Sequence, residues 1–297
     1  MTADAFQHTL RAPATFAGVG VHTGAYTRVA VRPAAPDTGI VFVRTDVTGG
    51  DNRVPCAPET VVKTQLGTVI GNEAGVTVAT IEHLMAALVM LGVDNALVEL
   101  DGPEMPIMDG SSLPFIRVLD RAGLRMQDAP RRYIEILETV EVVEGDKRAA
   151  LKPADSFEVA FEIRFESPVI GTQAIDMAMD GQAFRDELAD CRTFGFLHEV
   201  EQLRSLGLAR GGTLENCVVI EGDRVINPEG LRRPDEFVRH KALDAIGDLY
   251  VLGAPILGRF EGELAGHAIN NLLVRALAAR PEAWRYVTFA EALRQAV

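Results

Sequence analysis

The spacing of apolar residues marks strands first and helices later, and it does so twice along the chain. Residues Tyr26 to Arg32 alternate apolar and polar, and Gly39 to Arg44 (GIVFVR) is a β-branched run, so both predict strands. Val76 to Val78 and Asp94 to Leu100 (DNALVEL) predict two more. Between them, Thr80 to Leu91 (TIEHLMAALVML) predicts a helix with Thr80 as N-cap and Gly92 as its stop. Ser111 or Ser112 caps a second helix running from Leu113 to about Gly123. Strand signals restart at Tyr133 to Val143, Ala149 to Leu151 and Phe157 to Phe165. Helices are expected over 181–191, 199–206, 235–252 and 266–279. Residues 127–132 (QDAPRR) read as a linker, giving domains 1–126 and 133–297. The fold class is α+β in two halves. Both halves place strands before long apolar helices, but no alignable period establishes a duplication.

Composition narrows the function classes. A chain of 297 residues that is 47% apolar and 24% charged folds as an ordinary globular protein. The net charge of -13, from 42 acids against 29 bases, repels nucleic-acid phosphates and excludes a DNA or RNA partner. A few local Lys or Arg residues still suffice to bind one phosphate group. No apolar stretch reaches the roughly 18 to 20 residues of a membrane span, so no stable membrane insertion is expected. The start, MTADAFQHTLRAPATF, lacks a basic stretch followed by an apolar core, so it does not read as a signal peptide. Cys56, Cys191 and Cys217 form no C-x-x-C pair, which fits a reducing cytoplasm. Nothing in the acidic balance calls for assembly, and a monomer is expected.

Candidate chemistry concentrates in three helical segments. In FVRHKALDAIGDLYVL, His240 and Asp244 are four apart, on one helix face and about 6 Å apart at Cβ. That spacing lets both reach one metal ion; the alternative is a capped helix with a solvated polar face. Asp248 lies one turn further along the same stripe. The Thr80 helix is apolar all round, as buried helices are, yet Glu82 and His83 open it. Buried, they need partners. The positive end of the helix dipole favours a carboxylate and disfavours an imidazolium there. A neutral His and an ionised Glu are what a ligand and a general base require. Their other reading is a plain solvated helix start. In GELAGHAINNLLVRALA, His267 begins a helix after Gly266. Catalytic zinc takes N or O ligands from the protein and keeps one position open, which two histidines and an aspartate satisfy. His8, His22 and His198 read as structural or surface residues.

The segments TIEHLMAAL, VRHKALDAIGDL, GHAINNLLVRAL, CRTFGF and PIMDGSS, with GVGVHTG near the start, together resemble UDP-3-O-acyl-N-acetylglucosamine deacetylase, the zinc enzyme family of lipid A biosynthesis. The resemblance runs from about residue 10 to the C-terminus. It implies two similar α+β domains, each a sheet on a pair of helices with a small insert, and an active site between the layers. It implies a UDP-linked glucosamine substrate bearing an O-acyl chain, hydrolysed at its acetamide to a free amine and acetate.

Matched position by position, His83, His240 and Asp244 correspond to the zinc ligands and Glu82 to the general base. His267 corresponds to the second catalytic group, either an acid or a fixed cation, and Asp248 to the residue that orients it. Thr193 corresponds to the hydroxyl near the oxyanion, and Lys241 to a substrate-binding lysine. Phe165 corresponds to a uridine contact, where the family commonly has His before the proline and this chain has Ser167. Phe194, Phe196, Leu197, Val200 and Leu214 match the acyl-binding insert near 193–215. Iron(II) suits the same ligand set as zinc. Two competing readings are a zinc amidohydrolase with another substrate and a nucleotide-sugar-binding protein without catalysis.

Overall fold

The computed structural model of the chain describes residues 5–288 and Glu291. The helices are α1 (Glu82–Leu91), α2 (Leu113–Ala122), α3 (Gly181–Glu187), α4 (Leu197–Ser205), α5 (Glu236–Leu249) and α6 (His267–Ala278). One sheet has five strands, in the lateral order Ala14–Val19, Tyr26–Pro33, Ala96–Leu100, Ile40–Arg44 and Arg53–Pro55. Its successive pairings are antiparallel, antiparallel, parallel and antiparallel. The second sheet repeats that succession with Val140–Glu144, Lys147–Lys152, Ile256–Glu263, Phe157–Arg164 and Thr172–Ala178. Arg132–Ile136 and Trp284–Thr288 extend it.

The two halves therefore share a topology that the sequence does not align. Each carries a small three-stranded insert: Val61–Lys63, Val69–Gly71 and Thr77–Ala79 in the first, Phe194–Phe196, Val218–Glu221 and Arg224–Val225 in the second. Helix α2 packs on the first sheet, and α5 and α6 pack on the second. Helix α1 packs on α2 and α5, so α1 and α5 meet in the middle of the molecule. Their approach is close: a Cβ on Gly247 of α5 would collide with the Glu82 carbonyl of α1.

Several boundaries depart from the sequence expectation. Thr80 does not cap α1; it sits at φ 59°, Ile81 takes the cap position, and the Thr80 hydroxyl bonds Glu104 at 3.1 Å. Gly92 does end α1, its N–H turning back to Leu88 and Val89. Ser112 opens α2 without a side-chain cap, because its hydroxyl donates to the His83 carbonyl at 2.8 Å. The expected linker over 127–132 is mostly strand: Leu124–Pro130 pairs antiparallel with Phe6–Leu10. Gln127 and Ala129 point inward on alternate residues, and the buried Gln127 amide is taken up by Asn95 and the Ala34 carbonyl. A polar residue at an inward position hid that alternation. The expected strand over 133–143 is broken, because the Leu137 and Glu138 amides both turn to the Ala283 carbonyl. Helix α3 unwinds before residue 191, where the Leu188 and Ala189 amides both bond Phe184. Helix α5 stops at Leu249 and passes into a 3-10 turn over Tyr250–Leu252.

A ladder of charges covers the second sheet. Arg259 bonds Glu158, Asp176 and Glu261, while Arg148 and Lys152 also converge on Glu261. Burial opposes the Glu261 charge, but Lys152, Arg259 and Arg148 outweigh it and pull its carboxyl down to about 2. A depressed folded-state carboxyl stabilises the fold above its unfolded pKa of about 4.3, and that contribution is lost as pH falls towards the folded value. Glu261→Gln is accordingly expected to lower the melting temperature at pH 7, with the gap to the parent closing between about pH 4.5 and pH 2. Thermal melts across that range check it; a gap independent of pH would refute the assignment. Among the described residues, no helix is long and apolar enough to cross a membrane.

Candidate active site

The close crossing of α1 and α5 brings His83, His240 and Asp244 together, with ligand atoms all within 4.8 Å of one another. All three side chains are buried. Asp244 Oδ1 lies 3.4 Å from His83 Nε2 and 3.3 Å from His240 Nε2, yet it accepts no hydrogen bond among the described residues. A fully buried carboxylate oxygen with no donor is costly unless something else occupies that space. The ring of His240 donates from Nδ1 to the Cys191 carbonyl at 3.0 Å, which leaves Nε2 as the lone-pair side. Burial drives His240 down to about 3, so its ring is neutral at physiological pH. Burial opposes the charge on Asp244, but His240, Lys241 and His83 hold it well below the usual carboxylate range. This donor set fits a divalent metal ion with an open position.

The peptide that receives His240 is itself held. Its N–H, that of Arg192, donates to Glu236 Oε1 at 2.9 Å, and Glu236 lies one helical turn before His240 on α5. The Arg192 guanidinium closes a buried ion pair on the same carboxylate at 2.9 Å. One peptide unit is thus gripped on its N–H by Glu236 and on its carbonyl by His240.

Glu82 sits beside this cluster at the start of α1. Burial pushes its carboxyl above the ordinary range, against the pull of His267 and His83. Asp248 Oδ2 accepts from His267 Nδ1 at 2.9 Å and from the Asn270 amide at 2.9 Å. Burial opposes a charge on His267, but Asp248 outweighs it and holds the ring up at about 9. The site thus combines a neutral histidine, a cationic one and a carboxylate of raised pKa within one buried cluster. Such divergence marks acid–base sites.

A cavity of about 430 Å³ opens from this cluster. Glu82, His83, His240, Asp244, His267 and Thr193 line it. Phe194, Leu197, Val200 and Leu214 line it as well. Phe196 does not reach it; it packs on Phe165 at 6.0 Å and on His198 at 5.6 Å between ring centroids. Phe165 also stands outside, edge-on to Phe194 at 5.8 Å. Lys241 is turned to Asp244, its ammonium donating to Oδ2 at 2.9 Å. Asp248 lies behind His267 and not on the cavity wall. His22, expected as structural or surface, lines the cavity and bonds the Leu66 carbonyl through Nε2 at 2.9 Å. Sequence reasoning missed Leu203, Val219 and Ile226 on the cavity wall, and Asn270 and Thr68 against Asp248. The apolar three would pass for core in any sequence, and no spacing ties Asn270 or Thr68 to Asp248.

The family profile described as UDP-3-O-acyl N-acetylglycosamine deacetylase matches residues 7–279. A protein of Phenylobacterium zucineum named UDP-3-O-acyl-N-acetylglucosamine deacetylase is 80% identical over 98% of this chain and 100% of its own length. Relatives of the same name from Myxococcus xanthus and Neisseria meningitidis serogroup A are 49% and 48% identical, over 95% and 96% of this chain and 89% and 94% of their own.

Proposed function

The chain belongs to the UDP-3-O-acyl N-acetylglycosamine deacetylase family, and from that premise we propose that it hydrolyses the N-acetyl group of a UDP-3-O-acyl-N-acetylglucosamine, giving acetate and the free amine in lipid A biosynthesis. The observation that carries this reading is one cavity lined both by a buried His, His, Asp and Glu cluster and by apolar side chains. An amide on a sugar that also bears an acyl chain needs both.

His83, His240 and Asp244 would hold zinc, and iron(II) suits the same ligands. A zinc ion held there would supply Lewis-acid chemistry, lowering the pKa of water from about 16 towards about 7. Glu82, with its raised carboxyl, takes the proton of the attacking water. The Thr193 hydroxyl donates to the developing oxyanion; its backbone is fixed by the bond from its N–H to Gly110 and by the bond its carbonyl accepts from Val218. His267, aligned by Asp248 through Nδ1, presents Nε2 as a cation where the leaving amine gathers charge. It either transfers that proton or stabilises the charge in place. Lys241 contacts substrate after exchanging part of its bond to Asp244, Phe165 faces the uridine, and Phe194, Phe196, Leu197, Val200 and Leu214 form the acyl-binding insert. The two α+β domains meet near residue 130, where the Leu124–Pro130 strand closes the first against Phe6–Leu10, and the protein works as a cytoplasmic monomer.

The test is acetate release from the UDP-linked acylated sugar, with parallel substrates lacking the acyl chain or the UDP group. Turnover is expected to collapse when either is missing. Equal turnover of plain N-acetylglucosamine would assign another substrate, and metal-loaded protein that releases no acetate from any of them would be a binding protein.

A further inference from the structure

Thr68 touches two carboxylates of the site, Glu82 and Asp248. It stands just ahead of the Val69–Gly71 strand of the first insert and is 3% exposed. Its backbone N–H donates to Glu82 Oε2 at 3.0 Å. Its hydroxyl donates to Asp248 Oδ1 at 2.6 Å, across a separation of 180 residues. Its carbonyl accepts from the Ile81 N–H at 3.4 Å, immediately before Glu82. Glu82 belongs to α1 and Asp248 to α5, so one residue spans the helix crossing.

The neighbouring residues are shaped for this contact. Gly67 sits at φ 155°, and a Cβ there would lie 3.0 Å from Glu82 Oε1. A glycine lets the backbone come up against the carboxylate where a side chain would crowd it. The two oxygens of Asp248 are divided: Oδ2 serves His267 and Asn270, while Oδ1 serves Thr68. A short hydroxyl bond to an ionised carboxylate is among the stronger neutral-donor contacts, and it fixes the plane of the group.

We infer that Thr68 is a positioning residue that sets Glu82 and the Asp248–His267 pair in register with each other. The inference rests on the roles proposed above for Glu82 and His267. Through its N–H, Thr68 ties down Oε2 of Glu82 and leaves Oε1 for the water. Through its hydroxyl, it stops Asp248 from rotating and so keeps Oδ2 square to His267 Nδ1. The first insert thereby acts on catalysis from behind the cavity, without touching substrate.

Thr68→Val keeps the shape and the N–H but deletes the hydroxyl. Its kcat is expected to fall at least about tenfold, since small misplacements of catalytic groups cost up to about a hundredfold. KM and metal content should hold close to the parent, while the melting temperature falls because Asp248 Oδ1 loses its donor in a buried site. Thr68→Ser restores the hydroxyl and should recover kcat to within about threefold. A parent-like kcat in Thr68→Val, or a Thr68→Ser protein as impaired as Thr68→Val, would overturn the inference. A readout without turnover accompanies these: the Nδ1 proton resonance of His267 in metal-free protein should move in Thr68→Val and return in Thr68→Ser. An unmoved resonance counts against Thr68 even if the parent proves inactive, whereas parent inactivity alone overturns only the functional reading.

Discussion

Glu82→Gln is expected to lower kcat by at least about a hundredfold while metal content and KM stay near the parent values. Glutamine matches glutamate in shape, and its carbonyl oxygen can still accept the Thr68 N–H, so the geometry around α1 persists. What disappears is basicity. Burial holds the carboxyl above its ordinary range, closer to neutrality, which is where a general base works best. Steady-state kinetics with metal analysis on the same preparation settles the point: near-parental turnover would remove Glu82 from the proton transfer, and metal loss would mean that it also supports the ion.

The second large effect is on metal itself. His240→Ala and Asp244→Ala are each expected to leave the protein substantially metal-depleted after dialysis against a mild chelator, with activity lost in proportion. Each variant reduces a proposed ligand set that is already at the minimum for catalytic zinc. Asp244→Ala carries a further penalty. Lys241 loses its anionic partner, and removing one member of a buried pair leaves the other uncompensated. Asp244→Ala should therefore also melt lower than His240→Ala. Metal-to-protein ratios by elemental analysis, beside melting curves, give both numbers; a fully metallated variant would strike that residue from the ligand set.

The features that were legible in the sequence are those encoded within a single helix. His240 and Asp244 share a face because they are four residues apart, and His83 and Glu82 stood out because an all-apolar helix has no other use for them. The features that stayed hidden depend on segments far apart in the chain. Nothing in the spacing joins Thr68 to Asp248, or the Cys191 carbonyl to His240. The repeated sheet topology was invisible for a different reason: strand pairing needs only alternation, which many unrelated sequences satisfy. Thr80 misled as a cap because its composition suits one, while Glu104 claims its hydroxyl. The family resemblance, by contrast, reached substrate and reaction class, which no local pattern could supply.

The proposed ligands are divided unequally across the molecule: α5, which rests on the second sheet, brings His240 and Asp244, and α1, from the first half, brings His83. Neither half alone offers a complete set. An ion bound here therefore favours the docked arrangement by its own binding free energy, about 2.7 kcal/mol when free ion stands at a hundred times its dissociation constant. That makes ambient metal supply a thermodynamic variable of the seam between the halves. Scarcity would lower catalytic occupancy and, in the same measure, the work needed to part α1 from α5.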